Sequence, residues 1–238
     1  YIIRHAQSEN NALWIETGRS VGRVSDPSLS DIGKQQASLL ADYLSGGQPD
    51  LQPVNEHDPK NLRAFGLTHL YCSLMQRAIL TAIPVAESLN IPLFGHPDIH
   101  EGGGIYLDDE ESGEKIGLPG KSIAELRELY PKIILPETID PDGWWNRPFE
   151  TREERIPRAQ KYLSELLNKH NNGYDRVALI THAAFTNYLL AAIFGQDERL
   201  PLWIEVNNAS ITRVDYKLME ISIVYTNRTD YLPAELIT

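Results

Sequence analysis

Only one cysteine, Cys72, occurs among the 238 residues, which excludes an intrachain disulfide and suits a reducing compartment, so the expected location is cytoplasmic. Long apolar runs are missing too: nothing approaches the roughly 18 consecutive apolar residues of a membrane span, and no membrane partner is expected. Basic charge is scarce. Lys and Arg total 22 against 33 Asp and Glu, and the net charge of -11 opposes a sequence-independent grip on a phosphate backbone, so no nucleic acid is expected as a partner. The chain lacks an opening methionine and starts at Tyr1 inside an apolar run, which leaves room for an upstream N-terminus with or without a targeting peptide. No internal repeat and no low-complexity tract is found.

What is present is ordinary globular composition: 42% hydrophobic and 23% charged residues with 16 glycines and 15 prolines, which excludes disorder, collagen and coiled coil. A chain of this length buries roughly 70% of its unfolded surface, enough for one large α/β domain or two small domains. A small anionic substrate remains compatible with the acidic total, because a few basic groups in a low-dielectric cleft set the attraction at contact distance.

Tyr1 to Ile3 reads as a short buried strand that ends in Arg4-His5. Ser30 is placed to cap a helix in which Ala37, Leu40, Tyr43 and Leu44 recur at helical spacing up to Gly46-Gly47. Gln48 to Arg63 is predicted as a loop from its prolines and polar residues, Leu67 to Cys72 as a strand, and Ser73 as the cap of the helix after it. Ile91 to Phe94 is a third strand. His96 to Gly120 is acidic, glycine-rich and aperiodic, and begins a cap-like excursion at about 96–147 over one end of the sheet. Ser122 to Tyr130 is a short helix, and Thr151 with Glu154 forms a capping box for a longer one through Leu167, stopped by Asn171-Asn172-Gly173. Val177 to Ile180 is a strand, Ala183 to Phe194 an apolar helix, and Ile211 to Val214 and Ile221 to Tyr225 are late strands. This alternation predicts an α/β fold, a three-layer sandwich with a mostly parallel central sheet flanked by helices, as a single domain over residues 1–238, with ligands at the C-terminal strand ends.

Three of those strands end in reactive or cationic groups: Arg4-His5, Ser73 followed by Arg77, and Thr181-His182. A parallel sheet gathers them at one edge, where two arginines and two histidines offer the N–H donors and positive charge that a phosphoryl group requires. Helix N-termini after Ser73 and His182 would add backbone donors. Each residue alone has a plainer reading, the histidines as hydrogen-bonded structural residues and the arginine as a solvated or salt-bridged one. Their shared position at strand ends favours the phosphate site.

The stretch Ile3-Arg4-His5-Ala6-Gln7-Ser8-Glu9-Asn10-Asn11 resembles the Arg-His-Gly and Glu-Ser-x-x-Asn motif of the histidine phosphatase superfamily, in its phosphoglycerate mutase-like branch. Further matches follow in order: Leu29-Ser30-Asp31-Ile32-Gly33 running into Gln36-Ala37, then Ser73-x-x-x-Arg77-Ala78-x-x-Thr81-Ala82, then Glu101 with Gly102, then Ile180-Thr181-His182. Five ordered matches over most of the chain are specific together, though each alone is weak. The resemblance implies a phosphoglycerate mutase-like fold and a set of roles. His5 would be the nucleophile that becomes a phosphohistidine; Arg4, Arg77 and His182 would neutralise phosphoryl oxygens; Ser8 and Asn11 would be neutral donors; Glu101 would act as the acid and base. It implies no metal and no cofactor, since the protein's own cations stabilise the charge. Ala6, Gln7 and Ala183 depart from the family's glycine, glutamate and glycine, and a methyl group at Ala6 or Ala183 would crowd a close approach of backbone to phosphate.

Other features have two readings. Gly102-Gly103-Gly104 lacks the strand-to-helix context of a nucleotide loop and reads as a lid hinge. His96, His100 and Glu101 invite a metal, but Pro97 disrupts the helix that such spacing needs. Trp144-Trp145 could stack on a substrate or partner, or anchor the excursion; Arg19 and Arg23 could reach the rest of the substrate, or be solvated loop residues. Cys72 reads as a packed core thiol, and the glycosylation patterns at Asn208 and Asn227 as chance. The expected function is a metal-independent phosphatase acting on a small phosphorylated metabolite. The alternatives are mutase-type phosphoryl transfer, and a catalytically silent binding or regulatory protein that docks through Trp144-Trp145. A homodimer is left open.

Overall fold

Short apolar segments flanked by longer amphipathic ones give an alternating chain. In the computed structural model, which describes residues 1–46, 58, 60–61, 64–109, 111–197, 202–217 and 220–238, the first half runs β1 (Ile2–Arg4), α1 (Glu9–Thr17), α2 (Asp31–Ser45), β2 (His69–Ser73), α3 (Gln76–Leu89) and β3 (Leu93–His96). A short hairpin of β4 (Tyr106–Asp108) and β5 (Lys115–Gly117) follows, then α4 (Ile123–Leu129) and β6 (Ile133–Ile134). The second half is α5 (Arg152–Lys169), β7 (Val177–Thr181), α6 (Ala183–Ile193), β8 (Ile211–Lys217) and β9 (Glu220–Arg228). Most of the expected loop from Gln48 to Arg63 lies outside the described residues.

Seven strands form the central sheet in the order β6-β3-β2-β7-β1-β8-β9. The five from β6 to β1 are parallel, and β8 and β9 continue the edge antiparallel. This is the mostly parallel α/β architecture expected from the alternation. The pleat sends alternate residues to opposite faces. Ile3, Leu70, Cys72 and Ile180 pack with Leu40, Leu44, Ile79 and Val85 of α2 and α3, while Ile2, Tyr71 and Leu179 pack with Ile156, Tyr162, Phe185 and Leu189 of α5 and α6. A sheet covered on both faces requires strands with little polar alternation, which is why β1, β2 and β7 read as plain apolar runs. Among the described residues no helix is long and apolar enough to cross a membrane.

Most helix starts follow local chemistry; α3 and α6 do not, since neither has a side-chain cap from its own N-cap residue. The Ser30 side chain accepts from Gly33 N–H at 3.0 Å, and Glu154 accepts from Thr151 N–H at 2.7 Å. The helix after β2 is not capped by Ser73. It starts at Gln76, whose N–H donates to Asp26 Oδ1 at 2.9 Å, and Ser73 is buried, accepting from Met75 N–H at 3.3 Å. Leu74 and Met75 are themselves buried, so the chain spends two further residues in the core before it can turn helical. The Cys72 thiol is buried, and burial pushes its pKa up, so it stays a protonated core group.

Candidate active site

The loop after β1 is held on every side. His5 N–H donates to Thr181 O at 2.8 Å, extending the β1–β7 pairing by one residue, and His5 O accepts from Ala209 N–H at 3.2 Å and Asn208 Nδ2 at 3.0 Å. Ala6 N–H donates to Thr81 Oγ1 at 3.0 Å, while that hydroxyl donates to Arg77 O at 2.7 Å. Gln7 N–H donates to Gln36 Oε1 at 2.7 Å, and Gln36 Nε2 reaches Leu236 O at 2.7 Å. Two of the three sequence departures, Ala6 and Gln7, are absorbed here. Ala6 packs with Leu29, Ala37, Ala209 and Leu232, so its methyl group joins a core cluster, and the Gln7 side chain accepts from Ser30 Oγ at 2.6 Å. The helix α2 reaches this loop only because residue 33 is glycine: a Cβ there would stand 1.9 Å from Gln7 O. Gly33→Ala is expected to cost about 1–3 kcal/mol through this overlap with backbone, as read by denaturant unfolding; unchanged stability would show that the loop can yield.

The geometry fixes the state of the His5 ring. Nδ1 lies 2.7 Å from Ala6 O, an acceptor only, so Nδ1 carries the proton and Nε2 presents its lone pair, which accepts from Arg77 Nε at 3.1 Å. The His182 ring packs beside it, centroid to centroid 5.0 Å. Among the described residues neither His182 ring nitrogen nor Arg4 Nε, all buried, has a hydrogen-bond partner, although Arg4 Nη1 donates to Val206 O at 2.7 Å. Buried polar atoms are rarely left unpaired, and a tetrahedral anion between the two rings could meet one His182 nitrogen and Arg4 Nε.

Burial pushes the pKa of His5 and of His182 well below the ordinary histidine value, with the Arg77 charge the next cause in both. His100 is lowered likewise, by burial and then by Arg158. The sign of the pH dependence follows. Above about pH 6.5 each of these histidines is neutral folded or unfolded; below it the unfolded chain takes protons that the folded one refuses. Stability is therefore expected to fall between about pH 7 and pH 5, by up to about 1.4 kcal/mol per pH unit for each buried histidine. Thermal unfolding across that range checks this, and a flat profile would contradict it.

Glu101 comes from the start of the excursion, after a 3₁₀ turn at Pro97–Ile99. Its carboxylate accepts from Gly102 N–H at 2.9 Å, Ala184 N–H at 3.1 Å and Phe185 N–H at 3.3 Å, which seats it on the N-terminus of α6 directly after His182. His100 Nδ1 lies 2.7 Å from Glu101 O, and Arg147 Nη2 lies 3.2 Å from His100 Nε2.

The remaining predicted residues are distributed unevenly. Ser8 and Asn11 cap α1 together: Ser8 Oγ donates to Asn11 Oδ1 at 2.9 Å and accepts from Asn11 N–H at 3.2 Å. Arg23 stacks 4.4 Å over the Tyr106 ring and lies 3.9 Å from Asp108, joining its loop to the β4–β5 hairpin, whereas Arg19 is exposed. Trp144 and Trp145 are 6% and 4% exposed and fill slots where Gly120 and Gly104 leave no Cβ, so neither indole presents a stacking or docking face to solvent. His96 Nδ1 accepts from Asp98 N–H at 3.2 Å, and His100 turns to Glu101 O and Arg147; these do not converge on one point. Reading the sequence placed Thr81 in a matched motif without giving it a role, and missed Asp26 and Asn208 as supports of the site. Asn208 matched only a glycosylation pattern, but its amide is 1% exposed and bonded to His5 O, which closes it to a glycan.

Neutral imidazole nitrogens beside guanidinium groups, at the C-terminal edge of a parallel sheet, define a class of protein that works on phosphoryl groups. The family model described as histidine phosphatase superfamily (branch 1) matches residues 1–52 and 58–229, and the chain belongs to that superfamily. It is 28% identical over 197 residues to Phosphoserine phosphatase 1 of Hydrogenobacter thermophilus, covering 82% of this chain and 76% of that protein. It is 23% identical over 220 residues to an Enterobacter protein called "Probable phosphoglycerate mutase GpmB", covering 91% and 84%. Among solved structures, the Entamoeba histolytica phosphoserine phosphatase in complex with 3-phosphoglyceric acid superposes with a TM-score of 0.60 at 17% identity, covering 98% of each chain, a likeness of fold.

Proposed function

We propose that this chain is a metal-independent phosphomonoesterase that hydrolyses a small phosphorylated metabolite through a phosphohistidine on His5. The observation that carries the reading is the His5 Nε2 lone pair, held by the Nδ1–Ala6 hydrogen bond in a neutral ring beside Arg77 and His182. When a phosphate group enters, Arg77, Arg4 and His182 turn their N–H groups to its oxygens, and Nε2 is free to attack. The P–N bond forms as the bond to the leaving oxygen breaks, and Glu101 gives that oxygen a proton. Water then attacks phosphorus, Glu101 takes back a proton, and the P–N bond breaks to release inorganic phosphate.

Two relatives carry names for phosphoserine hydrolysis and phosphoglycerate mutation, so both reactions bear on this chain. Hydrolysis is favoured by the stretch from Gly102 to Glu114, which contains no Lys or Arg to hold a second phosphate group. A silent binder is disfavoured by the retention of His5, Glu101 and His182 and by the burial of Trp144 and Trp145. The cytoplasm remains the proposed location, consistent with one buried thiol. The test is release of inorganic phosphate from phosphomonoesters by protein freed of metal with a chelator. Hydrolysis without added metal is expected; reaction only with 3-phosphoglycerate and a bisphosphorylated primer would overturn it in favour of a mutase.

A further inference from the structure

The edge of the sheet opposite His5 carries a second group of polar side chains that the proposed reaction does not use. His69 opens β2 and pairs with Val177 at the start of β7, whereas His5 and His182 follow the other ends of the parallel strands. His170 caps the C-terminus of α5, and Asp175 lies in the connection to β7. His170 Nδ1 is 2.7 Å and His69 Nδ1 is 3.9 Å from Asp175 Oδ2, and one ligand atom from each of the three residues lies within 4.8 Å of the other two. Among the described residues this is the one group of three or more His, Cys, Asp or Glu side chains that meets such a spacing.

We propose that His69 Nδ1, His170 Nδ1 and Asp175 Oδ2 bind one divalent cation of the zinc class. Two borderline imidazole nitrogens with one harder carboxylate oxygen form a donor set that suits zinc, with water completing four-coordination. Bonds of about 2.0–2.2 Å require ligand atoms about 3.4 Å apart. Small side-chain rotations that open the shorter separation and close the longer ones reach that spacing. The surroundings already hold the ligands as a metal site needs. His170 Nε2 lies 3.0 Å from the Tyr71 hydroxyl, which can accept its proton when Nδ1 turns to the metal. As the cation enters, the proton shared between His170 Nδ1 and Asp175 is lost to solvent and Nε2 takes one up, so the ring changes tautomer and stays neutral. Thr68 Oγ1, 2.9 Å from His69 Nδ1, has a second acceptor in Arg176 O at 3.2 Å. Lys169, whose Nζ lies 5.2 Å over the Tyr71 ring, is a positive charge close to this group.

The whole chain, stripped with a chelator, is titrated with Zn²⁺ against a chromophoric zinc indicator, and separately with Co²⁺ while its visible absorption is recorded. One equivalent of zinc and the strong d–d bands of low-coordinate cobalt are expected. His69→Gln and Asp175→Asn should each abolish that equivalent while leaving phosphate release from an aryl ester intact. Tyr71→Phe, which keeps the ring packing, should weaken binding about 10–100-fold. The absence of a bound equivalent in the wild type, weak bands of octahedral aquo-cobalt, or an equivalent that survives both ligand substitutions would overturn the site. The wild-type cobalt spectrum decides even where a variant fails to fold.

Discussion

His5→Ala is expected to lose hydrolysis of every phosphomonoester by on the order of 10⁴-fold or more, because no other group can form the P–N bond and direct attack by water is left. Anion binding should survive. Arg4, Arg77 and His182 keep their N–H groups, and removing the imbedded ring leaves Arg77 Nε without its partner at 3.1 Å, so vanadate or inorganic phosphate should still raise the unfolding temperature of the variant. That pairing of results separates a lost nucleophile from a collapsed site. Residual turnover within tenfold of wild type would exclude His5 as the nucleophile.

Glu101→Gln has a different signature, because protonation matters only as much as the leaving group needs it. An alkyl phosphate leaves as a strongly basic alkoxide, and its hydrolysis should fall about 10²–10⁴-fold. An aryl phosphate leaves as a weak base and should still phosphorylate His5 quickly, after which hydrolysis of the phosphoenzyme, deprived of its base, becomes slow. The variant should therefore give a burst of phenol close to one equivalent, followed by a slow steady rate. The amide keeps the acceptor oxygen that faces Gly102, Ala184 and Phe185 N–H, so the substitution is gentle on the start of α6. Equal losses for alkyl and aryl esters, with no burst, would assign Glu101 a structural role.

The sheet was legible in the sequence where burial on both faces leaves a strand no polar alternation, as at Ile2–Arg4 and Val177–Thr181, and those are the strands that deliver His5 and His182. What stayed hidden has a common physical cause: it is specified by contacts distant in the chain or by too few buried residues. Helix α1 buries none of its residues, so no periodic apolar stripe marks it; only the Ser8–Asn11 box and Gly18 at φ 64° bound it. The β4–β5 strands are three residues each and largely solvated, too short for a period. Ser73 looked like a cap because caps are usually local, but the acceptor for α3 is Asp26, 50 residues earlier. Trp144 and Trp145 read more readily as an anchor than as a stacking surface, and Gly104 and Gly120 make room for their rings. Asn208 supports the nucleophile from 203 residues away, a link that only the folded chain displays.

The central claim is that the phosphoryl group passes through one ring nitrogen. Rapid acid-free quenching of the wild-type protein during turnover, followed by peptide mass spectrometry, reads it directly. A mass gain of one phosphoryl group on the peptide containing His5, labile to acid and stable to alkali, is the expected result, and it should be absent from His5→Ala. Phosphate on any other side chain, or turnover with no phosphorylated peptide even in Glu101→Gln, would contradict the account.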